Sequence, residues 1–173
     1  MTLTLTLKLT VTSRRGAEYR LARPHTYTHL VSIRDAKRSK PVTGHETVPC
    51  VLGLYFDDVS FWRPGYLMVD ETHIIDLLRF GRGLDGTAQL LVHCEQGISR
   101  SVAAAYIILA DRYGPGQEAR AMAEVIAARA DCGDGPSPNH RMLEIADRLL
   151  KREGQLARER GLAELVKTPL KDV

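Results

Sequence analysis

Cys94 and Arg100 lie six positions apart in the stretch LLVHCEQGISRSVAAAYIILADR, residues 90 to 112. An apolar run of strand character precedes the thiol, and an apolar run of helical character follows the guanidinium. Between them stand Glu95, Gln96, Gly97, Ile98 and Ser99. A strand ending at His93 and a helix starting near Ser99 leave a short loop. Its free backbone N–H groups, with those of the helix start, converge on one point and form an anion cradle. The loop amides and the positive end of the helix favour the thiolate of Cys94 at the mouth of that cradle. Arg100 adds a planar fork that takes two phosphate oxygens at once, which lysine cannot reproduce. Gly97 lets the loop fold around an anion without a Cβ in the way. The chemistry that suits this set is nucleophilic attack on a phosphoryl group.

The elements that must hold these residues are legible as alternating patterns. Residues 2 to 12 alternate Thr and Leu, the period of a strand with one buried face, suited to a sheet edge. After a basic turn over Ser13 to Gly16 comes a short strand at 17 to 22. THLVSI at 28 to 33 and VLGLYF at 51 to 56 read as buried strands, with a charged surface loop over 34 to 48 between them. A helix capped at Asp70 or Thr72 carries Ile74, Ile75, Leu78 and Phe80 inward before Gly81 and Gly83 stop it. The strand at 88 to 93 feeds the cysteine loop. Helices follow over 99 to 113, over 117 to 130 with Ala119, Met122, Ala123 and Ile126 on its inner stripe, and after Ser137 with Pro138 at the first helical position. This last helix turns Met142, Ile145, Ala146 and Leu149 inward, and residues 155 to 167 suit a final charged helix. Strands interleaved with helices predict an α/β domain with a central, mostly parallel sheet of four to five strands flanked by helices. The phosphate-binding loop then joins a central strand to a helix.

The chain has 173 residues, of which 44% are hydrophobic, enough for one domain with a substantial core. The net charge of +3 gives no reason to invoke nucleic acid or an anionic membrane as partner. No segment has the length or apolarity of a membrane span or a secretory leader, which predicts a cytoplasmic protein. The three cysteines, Cys50, Cys94 and Cys132, form an odd set without metal-ligand spacing and read as free thiols. Neither a metal nor a cofactor is expected.

The segment His93-Cys94-Glu95-Gln96-Gly97-Ile98-Ser99-Arg100-Ser101 resembles the signature HCxxGxxRS of the cysteine-based protein tyrosine phosphatases, most closely their small dual-specificity-like, bacterial-type branch. A bare Cys-x5-Arg is weakly informative; the extended form with its flanking strand and helix is specific. THLVSI, AYIILADR and PNHRMLEIADRLL resemble further parts of that core. The likeness spans about residues 25 to 151, leaving residues 1 to 24 as an extra strand region and 152 to 173 as a C-terminal extension of one phosphatase domain.

The resemblance implies a phosphoprotein or phosphopeptide substrate and a phosphocysteine intermediate. It makes Cys94 the nucleophile and Arg100, with the amides of residues 95 to 100, the phosphate clamp. Ser101 would stabilise the departing thiolate, and His93 and Asn139 would support the loops. Members of this family carry a general acid aspartate some thirty-odd residues before the cysteine, directly after a buried strand. LYFDD ends such a strand, and Asp58, 36 positions upstream of Cys94, fits best. Asp57 stays open because neighbouring side chains at a strand end point in opposite directions. Asp70 is more simply a helix cap. An acidic Glu95 at the rim disfavours polyphosphorylated inositols. Trp62, Tyr66 or His25 are candidates to line the pocket, and Cys50 or Cys132 to form a protective disulfide with Cys94. Two rival readings are a phosphate-binding module without turnover and a phosphatase of small-molecule or lipid phosphomonoesters.

Overall fold

The computed structural model describes residues 7–37, 40–130 and 133–159. The strands β1 (Lys8–Ser13), β2 (His29–Arg34), β3 (Cys50–Tyr55) and β4 (Gln89–Cys94) make one sheet in the order β1-β4-β2-β3. Every pairing is parallel. The helices are α1 (Arg14–Leu21), α2 (Glu71–Arg82), α3 (Arg100–Tyr113), α4 (Glu118–Ala127) and α5 (His140–Leu150), with a 3-10 turn at His45–Thr47. The alternation along β2 and β4 divides the core between the two sheet faces. Leu30 and Leu91 point to one face, under α1 and the 41–48 loop, with Ala17, Leu21, Val42 and Val48. Val31, Ile33, Leu90, Val92 and Cys94 point to the other, where α2 to α5 build the larger core.

β1 occupies an edge, as its Thr/Leu alternation predicts, and residues 1–6 lie outside the described residues. The strand expected at 17 to 22 is instead helix α1. Ser13 is its N-cap, its hydroxyl accepting from Gly16 N at 3.0 Å, and Ala17 and Leu21 form an i,i+4 buried pair. β3 is an edge strand rather than a buried one, with Cys50, Val51 and Tyr55 exposed. The 34–48 stretch is a loop, yet Val42 and Val48 plug the smaller core.

Two helix faces are rotated from the expected ones. In α2 the buried set is Ile74, Leu77, Leu78 and Gly81, and Ile75 is exposed. The helix passes through Gly81 because a Cβ there would lie 3.1 Å from Ile108 Cγ1, so the glycine lets α2 approach α3 closely. Asp70 caps α2 through His73 N. In α4 the inner stripe is Glu118, Ala121, Met122 and Val125; Ala119 and Ala123 are exposed. The carboxylate turns inward because Arg152 meets it at 2.5 Å, both side chains being almost fully buried. α5 starts at His140 with Asn139 as its cap, so Pro138 precedes the helix. Beyond α5 the chain does not leave the core: Arg152 also donates to Ala110 O, and Leu156 is fully buried. Residues 155–159 form a helical turn, and 160–173 lie outside the described residues.

Candidate active site

Parallel pairing brings the carboxyl ends of all strands to one edge of the sheet, where open α/β sheets bind their ligands. Ser13 ends β1 and Arg14 follows it, Asp35 follows β2, Phe56, Asp57 and Asp58 follow β3, and Cys94 ends β4. β4 lies between β1 and β2, so the thiol emerges from the sheet interior and is only 2% exposed.

The loop after Cys94 is held by its carbonyls. Cys94 O accepts from His93 Nδ1 at 3.2 Å, Glu95 O from Arg14 N at 3.2 Å and Gly97 O from Arg129 Nε at 3.3 Å. Ile98 O accepts from Ser137 N at 2.9 Å, and Ser99 O from Asn139 N at 3.4 Å. In a planar trans peptide the N–H of the next residue points opposite to the carbonyl. With these five carbonyls turned out to their anchors, the N–H groups of Glu95, Gln96, Ile98, Ser99 and Arg100 face the inside of the loop. Gly97 has φ 72°, the left-handed conformation that closes the turn, and its N–H donates to Cys94 Sγ at 3.2 Å. Ser101 Oγ lies 3.2 Å from the same sulfur, in the first turn of α3. At the rim Glu95 and Ile98 are half-buried and Gln96 is exposed.

Arg100 opens α3 and its side chain is 4% exposed. Nη1 donates to Phe56 O at 2.7 Å and Nη2 to Asp35 Oδ1 at 2.7 Å. Nε is buried without a hydrogen-bond partner among the described residues, and Asp58 Oδ2 stands 3.9 Å from it. The two neighbouring aspartates do different things. Asp57 is buried and accepts two backbone N–H groups, Ala36 at 3.2 Å and Leu67 at 2.8 Å. Asp58 faces the cysteine loop, with Oδ1 accepting from Ser99 Oγ and from Asn139 Nδ2, each at 2.8 Å. Asn139 thus ties together the loop, Asp58 and the start of α5, where its Oδ1 accepts from Met142 N.

His93 is fully buried between Ser32 Oγ, 2.8 Å from Nε2, and Cys94 O. A carbonyl only accepts, so Nδ1 carries the proton and Nε2 accepts from the serine. Burial holds this imidazole well below its ordinary value, at about 4. The hydrogen bond to Cys94 O opposes that shift, and the Arg14, Arg34 and Arg100 cations reinforce it. An unfolded histidine takes up its proton near 6.5, so the unfolded chain binds the extra proton first as pH falls. Stability is therefore fully present above pH 6.5 and drops by roughly 3 kcal/mol on the way to pH 4. Urea unfolding at pH 7 and at pH 4.5 should show this loss in the wild type and a smaller one in His93→Asn. Equal losses in both proteins would contradict the assignment.

Sequence reasoning missed Asp35 and Arg129, which are remote in the chain and meet the loop only through the fold. Asp35 had one signal, its place directly after a strand of a parallel sheet. Of the side chains considered for the pocket wall, Trp62 and Tyr66 lie on the segment that carries Asp58 and are exposed. His25 bonds Thr47 Oγ1 at the opposite end of the sheet. Cys50 is exposed at the start of β3. It is in register with His29, which pairs with Leu90, four residues before Cys94 and two strands away. That separation is about 13 Å along the strand alone, well beyond the roughly 7 Å Cα limit of a disulfide. Cys50 is therefore no partner for Cys94 in this fold, and Cys132 lies outside the described residues.

No protein-family model and no curated protein sequence matches the chain. Solved structures do. Human DUSP28 superposes with a TM-score of 0.59 at 22% identity, over 89% of this chain and 97% of that one. Tk-PTP in its active form gives 0.56 at 15% identity, over 88% and 99% of the two chains. DUSP15 gives 0.55 at 18% identity, over 94% of each. An all-parallel four-stranded sheet, with a cysteine loop between its interior strand β4 and helix α3, gives this chain the fold of the dual-specificity phosphatases.

Proposed function

We propose that the chain is a phosphoprotein phosphatase of the cysteine-based superfamily, hydrolysing phosphotyrosine, and phosphoserine or phosphothreonine as well, through a phosphocysteine. One observation carries the reading above all: five loop carbonyls are anchored outward around Cys94, so the amides of residues 95 to 100 face inward as an anion cradle. In the first step Cys94 Sγ attacks phosphorus and the ester P–O bond breaks, while Asp58 gives its proton to the departing oxygen. In the second, water attacks the phosphocysteine, Asp58 takes the proton, and the S–P bond breaks to release inorganic phosphate and the thiolate. The Ser101 hydroxyl, 3.2 Å away, supports that sulfur as it leaves. Arg100 clamps the phosphoryl oxygens, and His93 and Asn139 support the loop. Neither metal nor cofactor enters the reaction, and the domain acts on phosphorylated proteins in the cytoplasm.

The test is phosphate release from phosphopeptides and from p-nitrophenyl phosphate in a chelating buffer. Asp58→Ala is expected to lower kcat on a phosphotyrosyl peptide about 10²- to 10³-fold and to remove the basic limb of the pH–rate profile. Asp57→Ala should keep that limb and lower thermal stability, since both its carboxylate oxygens hold backbone N–H groups. If Asp57→Ala alone removed the limb, the acid would be misassigned. A wild type that binds phosphopeptides without releasing phosphate would be a binding module instead.

A further inference from the structure

The segment after Asp58 carries four exposed large apolar side chains within seven positions. Phe61 is 79% exposed, Trp62 77%, Tyr66 48% and Leu67 49%. Single exposed apolar residues are ordinary, but a contiguous group beside a functional site marks an interaction surface. The loop is also closed at its neck. Asp57 N donates to Leu67 O at 2.7 Å, Leu67 N donates back to Asp57 Oδ2, and Val59 N to Asp57 O. The aromatic tip is therefore carried on the same clamped loop as Asp58, three and four residues along the chain from it.

Phe61 and Trp62 follow Asp58 by three and four residues, so the tip stands within about 14 Å of the point where the leaving oxygen of a substrate would meet Asp58. We propose that Phe61 and Trp62 read the substrate, making the site selective for phosphopeptides with a large apolar residue next to the phosphorylated one. The proposal rests on the phosphatase reading and names its substrate class. A peptide rather than a bilayer is the occupant because the tip is joined to the site through Asp58 itself, so the molecule whose leaving oxygen meets Asp58 presents its neighbouring side chain to Phe61 and Trp62. The neck keeps the entropy cost of docking low, since the loop is already held in place.

Trp62 is the single tryptophan of the chain, so its emission reports directly on the tip. Two phosphopeptides that differ only in a leucine or a serine beside the phosphoresidue serve as probes. With Cys94→Ser, which binds without turnover, the leucine peptide should shift the emission to the blue and the serine peptide should not. In kinetics, Trp62→Ala should raise KM for the leucine peptide about tenfold, the scale of losing one aromatic anchor. Activity on p-nitrophenyl phosphate and on the serine peptide should be unchanged. Equal losses on both peptides, or no loss, would overturn the proposal. So would vesicles of phosphatidylcholine and phosphatidylserine shifting the emission while the peptides do not. Failure of the phosphatase reading would show separately, as a wild type inactive on p-nitrophenyl phosphate.

Discussion

Cys94→Ser is expected to abolish turnover, a loss on the order of 10⁴-fold or more, while phosphopeptides still bind. The two side chains differ by one atom, and the serine hydroxyl keeps the place of a sulfur that is 2% exposed and touched by Gly97 N–H and Ser101 Oγ. What changes is the nucleophile. Amides turned inward and the start of α3 favour an anion at that position, and a serine hydroxyl there is a far poorer nucleophile than a cysteine thiol. Single-turnover assays with a phosphotyrosyl peptide check the rate, and isothermal titration of the same peptide checks binding. Turnover within tenfold of wild type would place the nucleophile elsewhere.

Arg100→Lys is the second large effect, a fall in kcat/KM of roughly 10³-fold or more, because a guanidinium clamp on a transferring phosphoryl group is worth that much. Charge is conserved in this substitution, so the loss isolates geometry. The guanidinium reaches Phe56 O and Asp35 with its two Nη groups at once and still holds out a buried Nε–H that no acceptor among the described residues satisfies. A lysine ammonium cannot span those partners and also meet two phosphoryl oxygens in a plane. The Asp35 carboxylate would then lose its forked partner at the mouth. Steady-state kinetics with p-nitrophenyl phosphate give the comparison, and a lysine variant within tenfold of wild type would remove the clamp from the mechanism.

Much of this arrangement is local in the chain and was readable there. The cysteine loop is a run of five residues, 95 to 99, between a strand and a helix, so its chemistry could be read from spacing and its supports from the family resemblance. The pairing of the loop with Asp58 was harder, because two adjacent aspartates compete for one role. Hydrogen bonds settle their placement: Asp57 turns to Ala36 and Leu67, Asp58 to Ser99 and Asn139. Asp35 was invisible as a partner of Arg100 because the contact spans 65 positions and depends on β2 lying next to β4. The fold misreadings have similar causes. Ser13 looked like part of a turn but caps α1, and Gly81 looked like a stop but sits where two helices touch. Glu118 is not on the inner stripe expected for that helix, yet it faces the core because Arg152, from beyond the family-like stretch, pairs with it there. In the last two cases a long-range partner overrides the local preference.

The account turns on an anion cradle around one sulfur, and protection of that sulfur from alkylation by iodoacetate measures it directly. With Cys50 and Cys132 replaced by serine, Cys94 is the only thiol in the chain. Its alkylation at pH 7 should be slowed severalfold by inorganic phosphate, which competes for the same cradle. A rate that inorganic phosphate leaves unchanged would contradict the account.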